Sequence, residues 1–369
     1  MLRKISLVAF LALSISCSSD NEADFAPIQT GTFPFDLTVL ATAPNLDSRL
    51  HQYQIQLIEG QTRPSSVTDL TDELGLDLDL RVQVEGAVVT FHDLIDCKVW
   101  RKNVITDERA AWTDFFNNDG ECFYNPIFIS SQEKLLNFHV DCPDSFYTIN
   151  SYDTQSENTA DIEIPPLYLL FDDIFVAGEF LFVKYEDDNS DRWLDIYDLE
   201  NSQKVTTLDI NTFDTYATSG DRLYLIAGAG AYTIFNIRNR QVEATVADSN
   251  LGWVSGFAHA NLLGNKMATD VFYPQPSNLV KTPAIYDFGS NKLRSFDLQQ
   301  FRTVLADESI ILGSVHDYVV DLESEIVAIS YSYGDVGGLQ KHRLTFVTFD
   351  GEIIASTALE QTPYRLISN

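Results

Sequence analysis

Asp187, Asn189 and Asp191 stand at alternating positions of the densest acidic run in the chain, Tyr185-Glu-Asp-Asp-Asn-Ser-Asp191. Calcium is a hard cation held by carboxylate and carbonyl oxygens, and alternating oxygen ligands are how a calcium loop begins. The sixth position is Arg192, where the sharp turn of such a loop needs Gly, and the run falls between two expected strands. A solvated hairpin tip is the expected reading, with Asp187, Asn189 and Asp191 kept as weak calcium candidates.

Other chemistry-bearing residues do not assemble into a motif. Ala227-Gly-Ala-Gly-Ala231 follows a strand, as a phosphate loop would. The third glycine is missing at Thr233 and no helix N-terminus follows to hold a phosphate. Gly252-Trp-Val-Ser-Gly256 has its serine off-centre for a nucleophile elbow. His51, His92, His139, His259, His316 and His342 are scattered without metal-ligand spacing. Glycoside hydrolysis needs two carboxylates a few ångströms apart, but among 54 acidic residues the sequence nominates no pair. No catalytic residue, resident metal or cofactor is assigned.

The N-terminus carries an address. Arg3 and Lys4 precede an apolar stretch, Ile5 to Ile15, that has the length of a secretory signal and is too short to span a bilayer. Leu13-Ser-Ile-Ser-Cys17 resembles the lipobox of bacterial lipoproteins, with Ser14 where Leu is usual and Leu13 adjacent. The Ser-rich, acidic run from Ser18 to Asp24 is similar to the tether of Bacteroidota-type surface lipoproteins. The resemblance implies removal of residues 1–16, lipidation of Cys17, a tether over 17–32 and a folded domain over 33–369. It implies an outer-membrane, cell-surface location with the lipid as the only membrane contact.

Export permits disulfides. Cys122 and Cys142 lie nine residues on either side of a turn at Ser131-Gln132-Glu133, so a hairpin in that register would set them opposite one another. A Cys122–Cys142 bridge is the expectation, with Cys97 left as a buried thiol. A slip of one residue would part the pair.

With 24 basic residues against 54 acidic, the chain carries a formal charge of −30. Such a surface repels nucleic acid and anionic headgroups and leaves cations, cationic partners and neutral sugars as ligands.

Trp193-Leu-Asp-Ile-Tyr-Asp-Leu-Glu-Asn-Ser-Gln-Lys-Val-Thr-Thr-Leu208 reads as strand, polar turn and strand. Looser copies recur at Phe146–Ile164, Tyr232–Val246, Ala284–Phe296 and Leu344–Ser356. Anchored on Asp153, Asp198, Asn236, Asp287 and Thr348, they repeat every 38 to 61 residues. Short strands alone suit a sandwich or barrel as well, but hairpins at this period predict an all-β fold, a β-propeller. Residues 123–164 form one complete candidate blade. The segment before them holds one blade or two, giving six or seven four-stranded blades, seven being slightly favoured. Pairing of the N-terminal strand with the last blade would close the ring.

Ile196-Tyr-Asp-Leu199 with Val205, and Ile285-Tyr-Asp-Phe288 with Leu293, resemble the third and fourth strands of bacterial WD-like or quinoprotein-like propeller blades. The likeness covers roughly residues 123–360 and implies a fold without an activity. The Gly-His dipeptide of true WD repeats is absent. The expected function is a non-catalytic binding or scaffold subunit with a protein partner at the outer membrane. Two polar or aromatic-proline connections, Asn117–Glu121 and Phe272–Leu279, are candidate contacts. The alternative is a carbohydrate-active enzyme or glycan-binding protein using an acidic central face.

Overall fold

The computed structural model describes residues 35–42, 49–58, 60–76, 80–93, 98–113, 127–131, 133–141, 146–164, 170–213, 215–228, 230–251, 262–272, 281–307, 309–334 and 341–368. The described residues begin with β1 (Phe35–Thr42), β2 (Leu50–Ile58) and β3 (Gln61–Asp69), followed by the short helix α1 (Leu70–Leu74). Blade 2 is β4 (Leu80–Glu85), β5 (Val88–Asp93), β6 (Lys98–Asn103) and β7 (Arg109–Trp112). Blade 3 is β8 (Ile127–Ser130), β9 (Lys134–Asp141), β10 (Phe146–Asp153) and β11 (Thr159–Ile164). Blade 4 is β12 (Leu170–Ala177), β13 (Phe180–Glu186), β14 (Arg192–Asp198) and β15 (Gln203–Asp209). Blade 5 is β16 (Thr215–Ser219), β17 (Arg222–Ile226), β18 (Tyr232–Asn236) and β19 (Gln241–Val246). Blade 6 is β20 (Leu262–Leu263), β21 (Lys266–Phe272), β22 (Lys281–Asp287) and β23 (Lys292–Ser295), and the helix α2 (Leu298–Asp307) follows it. Blade 7 is β24 (Ile311–Asp321), β25 (Ile326–Gly334), β26 (Lys341–Thr348) and β27 (Ile353–Leu359). The last strand, β28 (Thr362–Ser368), returns to pair with β1 and completes blade 1 in the order β28-β1-β2-β3. Seven antiparallel four-stranded sheets thus form a ring, and the first and last described strands meet in one sheet.

Successive side chains of a strand point to opposite faces of its sheet, so each blade serves two interfaces. Leu181, Val183 and Tyr185 of β13 pack toward blade 3. Their neighbours Phe180 and Phe182 pack toward blade 5. On β1, Leu37, Val39 and Ala41 join blade 7, and Leu40 joins blade 2. Among the described residues, apolar clusters of this kind fill every neighbour-to-neighbour interface except that between blades 2 and 3. There the described contacts are polar and aromatic. Gln83 Oε1 accepts from Ser130 N at 2.8 Å, Arg101 Nη2 donates to the Lys134 carbonyl at 3.2 Å, and Trp112 meets Tyr152 edge-on at 6.3 Å.

The hairpins between third and fourth strands share one device. Asp153, Asp198 and Asp287 each accept two backbone N–H groups of the following turn, and Asn236 accepts one. A side-chain oxygen that satisfies the turn's own backbone fixes where the strand stops. Four residues after each anchor the chain takes a left-handed conformation, at Glu157, Ser202, Asn291 and Arg240. Asn103 does the same in blade 2, with Asp107 left-handed.

Helix α2 lies between blades 6 and 7. Its Leu298, Phe301 and Leu305 recur at helical spacing and are buried beside Phe296 and Tyr331. Asp297 caps it, accepting Gln300 N at 2.8 Å.

Candidate functional site

The acidic run is a hairpin tip between β13 and β14. Asp187 Oδ1 accepts Asn189 N at 2.9 Å and Asp191 N at 3.1 Å, and Oδ2 accepts Trp193 Nε1 at 3.0 Å. The Trp193 hydrogen bond leads the causes that hold the Asp187 carboxyl below its ordinary value, with those backbone bonds adding to it against desolvation. Asp191 Oδ1 accepts Asn211 Nδ2 at 3.2 Å, and Asn189 is exposed. Both oxygens of Asp187 are thus occupied by donors of the protein itself. Among the described residues no three His, Cys, Asp or Glu side chains converge to hold a metal. Cys17, Cys97, Cys122 and Cys142 lie outside the described residues, as do Asn117–Glu121, residues 273–279 and the Gly252–Gly256 run.

The inner wall of the ring holds a constellation that no local motif announces. The first strands of neighbouring blades approach one another, β4 to β8, β8 to β12, β16 to β20 and β24 to β28. They therefore surround the axis. Strand β24 is the irregular member, with register shifts between Leu312 and Val315 and between Val315 and Asp317. Bulges of this kind leave backbone groups off the ladder and re-aim side chains. Two fully buried serines of β25 take up those groups. Ser332 Oγ accepts Ser314 N at 2.9 Å, and Ser330 Oγ accepts Asp317 N at 3.1 Å while donating to the Asp317 carbonyl at 3.0 Å.

The bulges present His316 and Asp317. Asp317 Oδ2 accepts Leu366 N of β28 at 2.8 Å, and Arg365 Nε stands 3.9 Å away. Burial pushes the Asp317 carboxyl above its ordinary value, opposed by those two groups. Asp270, on β21 of blade 6, is raised by burial too; Lys281 opposes the shift and Asp317 adds to it. The Asp317 contribution reaches Asp270 across the blade 6–blade 7 boundary. His316 and His342 pack with ring centroids 5.4 Å apart, and burial keeps both imidazoles below their ordinary value. His342 Nε2 shares a hydrogen bond with Thr362 Oγ1 at 3.1 Å, and its Nδ1 and His316 Nε2 are buried without partners.

Apolar side chains are exposed close to these groups in the sequence. Phe272 lies two residues beyond Asp270, Val315 two before Asp317, and Tyr364 immediately before Arg365. Ile311 is exposed at the start of the same strand, and Lys281 Nζ sits 5.8 Å over the Phe272 ring. The remaining large exposed apolar residues among those described, Val67, Ile105, Val242 and Leu263, are dispersed over blades 1, 2, 5 and 6. Blades 6, 7 and 1 thus carry two desolvated carboxyls, two cations and exposed apolar side chains, a set we call the rim. Of this set, sequence reading singled out Phe272 as the start of a loop and the histidines as scattered. The double bulge was signalled only by Gly313-Ser-Val-His-Asp317 interrupting an otherwise apolar strand.

The chain is a seven-bladed β-propeller whose first and last strands share a blade. No protein-family model matches it, and no curated protein matches it. Among solved structures it is similar to the computationally designed Ika8 protein, at 9% identity and a TM-score of 0.43 over 92% of this chain and 91% of that one. It is similar to apo AztD from Citrobacter koseri, at 11% identity and a TM-score of 0.42 over 91% of this chain and 98% of that one. The β-propeller domain of the Trilobed protease from Pyrococcus furiosus gives 10% identity and a TM-score of 0.41 over 74% of this chain and 94% of that one. The fold assignment rests on the seven sheets themselves.

Proposed function

We propose that the chain is a non-catalytic binding subunit displayed at the cell surface, held to the outer membrane by a lipid on Cys17, with a protein of that membrane as its partner. The observation that carries the binding role is the exposure of Phe272, Ile311, Val315 and Tyr364 on three consecutive blades. Partner sites present exposed apolar side chains with a polar surround. The lipidated address rests on the sequence around Cys17. A second reading, a carbohydrate-active enzyme or glycan-binding protein, draws support from Asp270 and Asp317. Glycoside hydrolysis uses two carboxyl groups, one of them kept protonated by its surroundings, and burial moves both carboxyls that way.

Cross-linking on native membranes, mild-detergent affinity purification and mass spectrometry test the first reading. A stoichiometric outer-membrane protein is the expected result. A chain recovered alone, together with turnover of a glycan in a hydrolysis screen, would replace it with the second.

A further inference from the structure

We infer that His316 Nε2 and His342 Nδ1 together hold a divalent transition-metal ion, with water in its remaining coordination positions. Such a site needs no partner protein and stands apart from the binding role above.

His316 is the extra residue of the second bulge in β24. Val315 pairs with Tyr331 and Asp317 with Ser330, which leaves no residue opposite His316. A bulge of this kind re-aims a side chain. His342 lies two strands away on β26, opposite Ser332 of β25. Neighbouring strands lie about 4.8 Å apart, so two rings so placed meet only by leaning over the strand between them. They do meet, with ring centroids 5.4 Å apart and planes at 52°. Metal–nitrogen bonds of about 2.0–2.1 Å would set two imidazoles on one tetrahedral ion about 5 Å apart, centre to centre. The pair has the spacing of two ligands to one ion.

Each ring also carries a buried nitrogen with nothing to bond, Nε2 of His316 and Nδ1 of His342, so no hydrogen bond joins the rings through them. His342 is 8% exposed, and its other nitrogen, Nε2, is committed to Thr362 Oγ1 at 3.1 Å. The tautomer that donates Nε2–H to that hydroxyl leaves a lone pair on Nδ1, which is how an outer partner readies a ligating histidine. A buried polar atom without a partner is costly, and one metal ion satisfies both nitrogens at once. Burial keeps both imidazoles below their ordinary value, so near neutral pH protons do not compete for the lone pairs. Exposed Ser314 and Val315, beside half-buried His316, leave the pair reachable from solvent. Imidazole suits zinc, nickel and copper, whereas calcium and magnesium take oxygen ligands. Among the described residues no third His, Cys, Asp or Glu joins the pair, so the ion is held more loosely than in a four-ligand structural site.

The test titrates metal-free full-length protein with zinc, copper(II) and calcium by calorimetry near neutral pH, with excess magnesium present to occupy surface carboxylates. One equivalent of zinc is expected to bind, copper more tightly, and calcium not at all. The copper complex is expected to show two nitrogen ligands in its electron paramagnetic resonance spectrum. His316→Gln breaks no hydrogen bond among the described residues. It is expected to weaken zinc binding by about tenfold or more, at least what loss of an outer partner costs a metal site. His342→Gln is expected to do the same, and His139→Gln, on β9 of blade 3, to leave binding unchanged. Zinc is expected to raise the melting temperature of wild type and not that of His316→Gln. Absence of saturable zinc binding would overturn the inference and leave a water between the rings. Zinc binding unaltered by His316→Gln, or a copper spectrum with fewer than two nitrogens, would overturn it equally.

Discussion

Gly313 passes so close to Ser332 that a β-carbon on it would stand 2.7 Å from the serine hydroxyl and 3.0 Å from the serine carbonyl oxygen. That approach lets Ser332 Oγ accept Ser314 N and hold the bulge that turns His316 and Asp317 toward the seam between blades 7 and 1. Gly313→Ala forces the two strands apart. A loss of about 1–3 kcal/mol is expected, the usual cost of overpacking, read as a lower urea midpoint with an unchanged slope.

The titrating groups at the seam oppose one another in pH. His316 and His342 are held below their ordinary 6.5 by burial, so below that pH the unfolded chain binds more protons than the folded one. Their contribution is whole above 6.5 and is lost as pH falls toward the folded values. His342→Gln is expected to flatten the fall in melting temperature between about pH 6.5 and 5.

Asp270 and Asp317 run the other way. Their folded carboxyls are raised above 3.8 by burial, so the folded chain holds the extra proton, and stability falls as pH climbs through that window. Asp270→Asn removes one such penalty. The variant is expected to melt higher than wild type at about pH 7 and alike at about pH 3. A variant that melts lower at neutral pH would mean Asp270 supports the fold.

The hairpin anchors give a fourth expectation. Asp198→Ala strips the turn N–H groups of Glu200 and Asn201 of their acceptor and is expected to cost about 1 kcal/mol. Ser202→Gly, at φ +53°, relieves left-handed strain and is expected to stabilise by up to about 1 kcal/mol. Chemical denaturation of both variants measures the pair.

These anchors explain how much of the fold was legible. An Asp or Asn that ends a third strand writes the repeat into the sequence, because its side chain does the work of the turn locally. Outer and inner strands leave weaker marks. Strand β3 leaves little mark in the sequence because an outermost strand tolerates polar residues and proline, and it carries Pro64 at a register shift opposite Ile55. Helix α2 shows only Leu298, Phe301 and Leu305 of apolar periodicity, hidden behind a hairpin of the repeat. The rim was illegible for a different reason. Asp317 belongs to blade 7 and Arg365 and Leu366 to blade 1, and only closure of the ring brings them together.

That closure is itself testable. Ending the chain at Gln361 removes the innermost strand of blade 1, the Leu366 N–H that Asp317 accepts and the Thr362 hydroxyl beside His342. Buried Leu366 and Ile367 go with it. The shortened chain is expected to lose its single cooperative thermal transition. Retention of that transition near the wild-type temperature would show that β28 is dispensable to the ring.

The most direct measurement of the account is a side-by-side recovery of cross-linked partner from native membranes by wild type, Tyr364→Ala, Asp270→Asn and the distant Val242→Ala. If the rim is the binding face, partner yield falls with the two rim substitutions and stays at the wild-type level with Val242→Ala. Undiminished yield from both rim variants would contradict it and move the interface to another part of the ring.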